Sequence, residues 1–280
     1  MKKISVCINL DTLALGSGWK MPLFQDPTYR LVDERLVSRL EKAGMKAILF
    51  AVGRDLELAA NRGFIEKWSQ AGHEIGNHTY SHPLNLSSLT RHEIEIEIEK
   101  TDIEIKKITG KKPIRFNAPG WALTPAIDRA LLDLGYTVDY SPFLSWWIYP
   151  LLVKQWWSLW GEKIASTVWR RRDIFYPLKL TEKHLKCDEG LTKIPLPTVN
   201  PFSIPVWHTG WFIFGEKIFP RLLKSAMKDN PEFYYLMHPA DVIEINDIPA
   251  GFGDKVIFER LNISLRDKIK YVDLTLKLLV

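Results

Sequence analysis

The chain has 280 residues, of which 46% are hydrophobic and 25% charged, and a net charge of +5. It is too apolar for disorder and long enough to bury a large core, as one large α/β domain or two small ones. Two cysteines with no CxxC pair argue against a thiolate zinc site, and a single tight basic run, Arg170 to Arg172, argues against a nucleic-acid groove.

In chain order, the apolar run "ISVCINL" predicts a first strand that leads into Asp11. Side chains alternate along a strand, so Asn9 and Asp11 point the same way. "YRLVDERLVSRLEKAG" predicts a helix ending at Gly44, "KAILFAV" a second strand, "FIEKWSQAG" a helix closing at Gly72 and "HEIGNH" a third strand. "SSLTRHEIEIEIEKTDIEIKKITG" alternates like a strand in its centre, but its length favours a helix, with Ser87 or Ser88 as N-cap. "IRFNAP" predicts a fourth strand. "TPAIDRALLDLG" follows as a helix with Thr124 as N-cap and Pro125 in its first turn. "YTVDYS" and "LTKIPL" read as strands, "EKIFPRLLKSAMKDN" as a helix, "EFYYLMH" as a strand and "SLRDKIKYVDLTLKLL" as the last helix.

Strand-then-helix repetition predicts an α/β fold with a parallel sheet covered by helices, as an open sheet or a barrel, and chemistry at the carboxyl ends of the strands. Those ends carry Asn9 and Asp11, Asn77 and His78, Asn117 to Pro119, Asp139 and His238. With no internal repeat and no low-complexity linker, residues 1–280 read as one domain. "HTYSH" spaces His78 and His82 four apart, which on a helix turn places both on one face. Two imidazoles and one carboxylate are a common divalent-metal set, and Asp11 is the natural third ligand.

Five stretches, "INLDT", "GHEIGNHTYSH", "RFNAPGW", "VDYSPF" and "LMHPAD", together resemble, in order, the five motifs of the NodB-like polysaccharide deacetylases, over roughly residues 4 to 244. "NLDT", "APGW" and the terminal "LxH" look most like the branch containing the deformylase for formamido-arabinose linked to undecaprenyl phosphate. The resemblance implies a distorted (β/α) barrel, usually of seven parallel strands. It also implies a divalent metal such as zinc and hydrolysis of an N-acetyl or N-formyl group from an amino sugar. It makes Asp11, His78 and His82 the metal ligands, His238 the general acid and Asp139 the carboxylate that holds it, with backbone N–H groups near Trp121 facing the oxyanion.

Two positions depart from the family pattern. The first motif usually carries two acids. Spelled as DxD, it leaves Asp11 on the metal and Asn9 at the base position; spelled as DD, it makes Asp11 the base and puts Thr12 at the metal. The first is preferred because aspartate is the better ligand. Asn117 stands where members often have an arginine, with Arg115 two residues earlier. Asn9 cannot accept a proton at neutral pH, and a missing general base costs about 10²–10⁴ in rate. The alternative is therefore a degenerate member that binds a glycan or glycolipid without turnover.

Residues 143 to 172 hold six of the eleven tryptophans. Tryptophan mixed with Leu, Ile, Lys and Arg suits a membrane interface. This insertion is expected to make a peripheral membrane contact through Trp146, Trp147, Trp156, Trp157 and Trp160, with a lid or subunit contact as the competing reading. The N-terminus lacks a signal-peptide pattern, so a cytoplasmic protein at the inner face of the membrane is expected. The Lys-, Glu- and Ile-rich helices hint at a thermophile.

Overall fold

The computed structural model describes residues 4–147, 149–150, 153, 190–253, 256 and 260–280. Seven of the apolar runs become strands of one curled parallel sheet. They are β1 (Ser5–Asn9), β2 (Ala47–Ala51), β3 (Glu74–Asn77), β4 (Arg115–Phe116), β5 (Val138–Asp139), β6 (Thr192–Lys193) and, after a hairpin of β7 (Thr198–Val199) and β8 (Ile204–Pro205), β9 (Tyr234–Met237). Their order across the sheet is β6-β5-β4-β3-β2-β1-β9. All seven were expected; the β7–β8 hairpin was not. Strands β2 and β9 are buried along their whole length. A parallel sheet covered on both faces explains why they read as unbroken apolar runs rather than as alternation.

The helices are α1 (Leu13–Gly16), α2 (Thr28–Val32), α3 (Ser38–Lys42), α4 (Ala59–Gln70), α5 (Arg91–Thr109), α6 (Pro125–Asp133), α7 (Thr209–Asp229) and α8 (Leu265–Leu279). The chain divides into two compact units. One comprises Met1–Leu49, Asp55–Ile75 and Val206–Val280; the other comprises Phe50–Arg54 and Gly76–Pro205.

In the first unit, β1 and β9 pair in parallel with Ile8 opposite Met237. Their carboxyl ends, which carry Asn9 and His238, are therefore level. Helices α2 and α3 are joined by a π turn, Asp33–Val37, inside the single helix that the sequence predicts. Tyr29 stacks on Trp68 at 5.6 Å, and the Trp68 indole donates to Asp33 at 2.8 Å. Helix α7 is kinked at Gly215, whose φ 63° and ψ −175° are non-helical and open to glycine, so the expected helix from Glu216 is its second segment, and the first segment, from Thr209, was not expected.

In the second unit, Ile94, Ile98 and Ile105 of α5 form one buried stripe against Phe116, Ile127, Leu131 and Tyr136. Spacings of four and seven are helical, which settles the alternating "IEIEIE" in favour of helix. Each isoleucine fully buried in this way contributes about 1.5–3 kcal/mol. The N-cap of α5 is Thr90, which forms a capping box with Glu93; Ser87 and Ser88 belong instead to a separate short turn, Leu86–Ser88. Helix α6 starts as expected, with Thr124 as cap and Pro125 in the first turn. Gly76 has a packing reason: a Cβ there would lie 2.6 Å from the Phe50 ring. Among the described residues, no helix is long and apolar enough to cross a membrane.

Candidate active site

In the first unit, Asn9 is buried at the end of β1, and Asp11 lies two residues on, partly exposed. The carboxylate Oδ2 of Asp11 stands 3.8 Å from Nε2 of His238, the residue that follows β9. The His238 main chain is fixed from behind. Its N–H donates to Oδ2 of Asp241 at 2.8 Å, and its carbonyl accepts from the Asp241 N–H at 3.0 Å, closing a tight turn over Pro239.

Asp241 is fully buried. Its Oδ1 accepts from Arg260 at 3.2 Å, and Arg260 also donates to the Thr209 hydroxyl at 2.9 Å. Burial pushes Asp241 up, but the positive field around it wins and holds the carboxyl below its usual value. His208 lies in the same network, with Nδ1 at 3.1 Å from the Tyr235 hydroxyl. Burial pushes His208 down to about 4. It is thus neutral at neutral pH, so the lasting counter-charge of Asp241 is Arg260.

In the second unit, the two imidazoles of "HTYSH" do not lie on a helix. They belong to a loop after β3 in which Thr79 (φ 64°) and His82 (φ 55°) are left-handed. Such angles are rare outside glycine and need outside support. The loop is zipped to the segment after β2. His78 N–H donates to the Ala51 carbonyl, Gly53 N–H to Thr79 and Arg54 N–H to Tyr80, each at 2.9 Å. Glu97 of α5 accepts from Tyr80 N–H at 3.1 Å and from Ser81 N–H and hydroxyl, both at 2.8 Å. The loop brings the His78 and His82 rings to 4.9 Å between centroids, at 67°.

His78 Nδ1 lies 2.5 Å from the Asn117 carbonyl. A carbonyl can only accept, so Nδ1 carries the hydrogen and Nε2 presents a lone pair. A metal-ligating histidine is commonly oriented in this way. The Asn117 side chain does something else: its Nδ2 donates to the Tyr140 carbonyl at 3.0 Å. The neighbouring Arg115 donates to the Tyr140 hydroxyl at 3.1 Å. In the turn Pro119–Trp121, the Trp121 N–H donates to the Ala118 carbonyl at 3.1 Å.

Asp139, the last residue of β5, is fully buried, and burial pushes it up to about 7. Its Oδ1 accepts from the Ser141 N–H at 2.8 Å and from the Ser141 hydroxyl. The Ser141 hydroxyl accepts in turn from Ala118 N–H at 2.7 Å, which ties Asp139 to the third motif. The sequence expectation that Asp139 holds His238 finds no counterpart in these bonds, which all go to Ser141; His238 is held at its backbone by Asp241. Asp241 was not singled out from the sequence. Its signal is the "HPAD" spacing, which puts a proline and then an acid where a tight turn caps itself.

His78 and His82 in the second unit each offer an imidazole nitrogen, and Asp11 in the first unit offers a carboxylate oxygen. Two nitrogen donors and one carboxylate oxygen fit a zinc-like divalent cation, and the lone pair left on Nε2 of His78 fits the same use. Of the tryptophan insertion, Trp156, Trp157 and Trp160 lie outside the described residues, as do Arg170 to Arg172. Trp146 and Trp147 are described: their rings stack at 4.3 Å, and both indoles donate to the Phe202 carbonyl at 3.2 Å. Trp146 and Phe202 are exposed, at 47% and 65%.

Residues 22–138 match the family model for polysaccharide deacetylase. That stretch contains His78, His82 and Asn117; Asp11 and His238 fall outside it, and Asp139 follows its last residue. The peptidoglycan deacetylase of Helicobacter pylori is 29% identical over 107 residues, covering 38% of this chain and 36% of that protein. The peptidoglycan-N-acetylmuramic acid deacetylase of Bacillus subtilis is 34% identical over 85 residues, covering 29% of this chain and 32% of that protein. The matches thus span about a third of the length of these curated relatives. A solved structure of a candidate polysaccharide deacetylase from Mycobacterium smegmatis has the same fold. It superposes with a TM-score of 0.55 at 12% identity over 98% of this chain and 83% of that one. These matches show similarity to polysaccharide deacetylases over part of the chain, residues 22–138 in the family model.

Proposed function

We propose that this chain is a metal-dependent de-N-acylase of the NodB-like polysaccharide deacetylase family, a single catalytic domain over residues 1–280. Its substrate would be an amino sugar carrying an N-acetyl or N-formyl group. The observation that carries the reading is the loop that pairs the His78 and His82 rings, with the His78 tautomer fixed by the Asn117 carbonyl; Asp11 is the proposed third ligand, from the sequence motif. A bound divalent cation, zinc being the first candidate, polarises the acyl carbonyl and acidifies water. The protein's own groups do the rest. His238 delivers a proton to the leaving amine nitrogen. Asn9, at the family's base position, cannot accept a proton at neutral pH, so His238 would take the water proton before passing it on. Asp139 is kept as a positioning carboxylate that acts through Ser141 on the third motif.

The finer reading is a polyprenyl-phosphate-linked sugar, as in the formamido-arabinose deformylase branch. It would be met at the inner face of the membrane through Trp146, Trp147, Trp156, Trp157 and Trp160. It rests on the sequence motifs and on the exposed Trp146 and Phe202. Asn9 favours a second reading, a degenerate member that binds glycan without turnover.

Metal analysis of the purified protein, followed by an amine-release assay on N-acetyl and N-formyl amino sugars, tests the proposal against Asn9→Asp and His78→Ala. Stoichiometric metal, lost in His78→Ala, with turnover by the unaltered protein supports the enzyme. Metal without turnover, with activity gained in Asn9→Asp, supports the binding reading. Absence of metal in the unaltered protein sinks the site assignment. Unchanged partitioning onto anionic liposomes after replacement of Trp156 and Trp157 removes the membrane contact.

A further inference from the structure

We infer that Asn77, held by Asp102 and Tyr136, is the positioning residue that shapes the two-histidine loop for cation binding. The inference rests on the metal reading proposed above. Asn77 is fully buried at the end of β3, directly before His78. Its two ends face opposite tasks. The Nδ2 amide lies 2.8 Å from Asp102 Oδ1, 2.8 Å from the Tyr136 hydroxyl and 2.9 Å from the Ile98 carbonyl. The Tyr136 hydroxyl donates to the same Asp102 oxygen, so its own lone pair is free to accept from Asn77. The Oδ1 end accepts from the Thr79 N–H at 2.7 Å. That bond spans His78 and closes the turn that sends Thr79 into its left-handed angle.

One side chain thus fixes the loop on both sides of the first imidazole. Behind it stand helix α5 and Tyr136; ahead of it stands the strained Thr79. Helix α5 supplies both anchors of the loop, Asp102 at its root and Glu97 at Tyr80 and Ser81. The chemistry requires a carboxamide. An aspartate at 77 could accept from Thr79 but would have nothing to donate to Asp102. An alanine would leave the Thr79 N–H without this acceptor and Asp102 with the Tyr136 hydroxyl but without the Asn77 amide. Asn77 touches neither substrate nor cation in this scheme; it acts through His78 and His82.

Isothermal titration of the metal-stripped protein with Zn²⁺, paired with the visible spectrum of the Co²⁺ form, tests this without an activity readout. Asn77→Ala is expected to lose about 10–100-fold in Zn²⁺ affinity, the usual effect of removing support behind a ligand. Its Co²⁺ absorption should also change shape, reporting altered ligand geometry. Tyr136→Phe, which keeps the ring in the core, should lose several-fold by the same route. Asp102→Asn retains an oxygen for Asn77 and should bind nearly as the unaltered protein does. A folded Asn77→Ala with unaltered affinity and spectrum overturns the inference. Should that variant fail to fold, unaltered binding by Tyr136→Phe overturns it instead. Failure of the metal reading looks different: Zn²⁺ then binds the unaltered protein and His78→Ala alike.

Discussion

Two buried aspartates, one in each unit, are held by opposite kinds of partner. Asp241 faces Arg260 and the His238 N–H, and its carboxyl sits below the usual value. Asp102 faces the Asn77 amide and the Tyr136 hydroxyl, with Lys112 standing off at 3.5 Å, and burial raises it. A full counter-charge outweighs desolvation; neutral donors do not. The first arrangement suits a strand end that must stay charged and fixed behind His238. The second suits a support whose task is geometric.

The largest expected effect separates the two. Asp241→Ala strands the Arg260 guanidinium, only 17% exposed, and should cost roughly 3–5 kcal/mol in chemical denaturation. A cost below that of Asp102→Ala would break the comparison. The third buried aspartate, Asp139, sharpens it through pH. Its folded value of about 7 lies above its ordinary 3.8, because burial penalises the charge. The folded state therefore holds this proton more tightly than the unfolded chain does. That stabilisation is complete below about pH 4 and is lost as pH rises to about 7, a swing on the order of 4 kcal/mol at about 1.4 kcal/mol per unit. Asp139→Asn should lack the swing, so the stability difference between the two proteins should fall from pH 4 to 7 and then level off. A difference that is flat across that range would place Asp139 with the charge-paired class instead. Asp241, with its lowered value, titrates in the opposite sense and supports the fold less as acid protonates it. The smallest effect is Asp102→Ala, which removes the acceptor of the neutral Asn77 and Tyr136 donors and a contact to the exposed Lys112, and should cost about 1–3 kcal/mol by denaturant titration.

Strands were legible because their signal is local: apolar runs of five to seven residues bounded by polar strand ends. The level ends of β1 and β9 followed from the parallel pairing, and with them the proximity of Asp11 and His238. The histidine loop was legible in its two imidazoles but not in its shape. A spacing of four suggested a helical turn, whereas Thr79 and His82 are left-handed because Glu97, Asn77 and the segment after β2 hold them so. Asn77 is local, but Glu97 lies 16 residues from Ser81 and the segment after β2 is further still, and such partners leave no mark on a five-residue motif. Asp241 was hidden for a similar reason, since its bond to Arg260 spans 19 residues. The cap of α5 was misplaced by two or three residues because serine and threonine all cap well, and only the turn at Leu86–Ser88 decides among them. The segment of α7 ahead of Gly215 was not read, because the helix breaks at that glycine and the pattern from Glu216 is a separate segment.

The Asn117 carbonyl carries a consequence for how such sites tolerate change. The group that fixes the His78 tautomer belongs to the main chain and is present whichever amino acid occupies position 117. The strand ladder carries it into place: Asn77 pairs with Phe116, and Asn117 N–H donates to the Asn77 carbonyl at 3.2 Å. Side-chain replacement at 117 can therefore alter what surrounds the reacting centre while the imidazole keeps its protonation pattern. Only a slip of β4 against β3 would release it. That separation lets asparagine stand at 117, where the sequence resemblance expects an arginine, without disturbing the His78 imidazole next door.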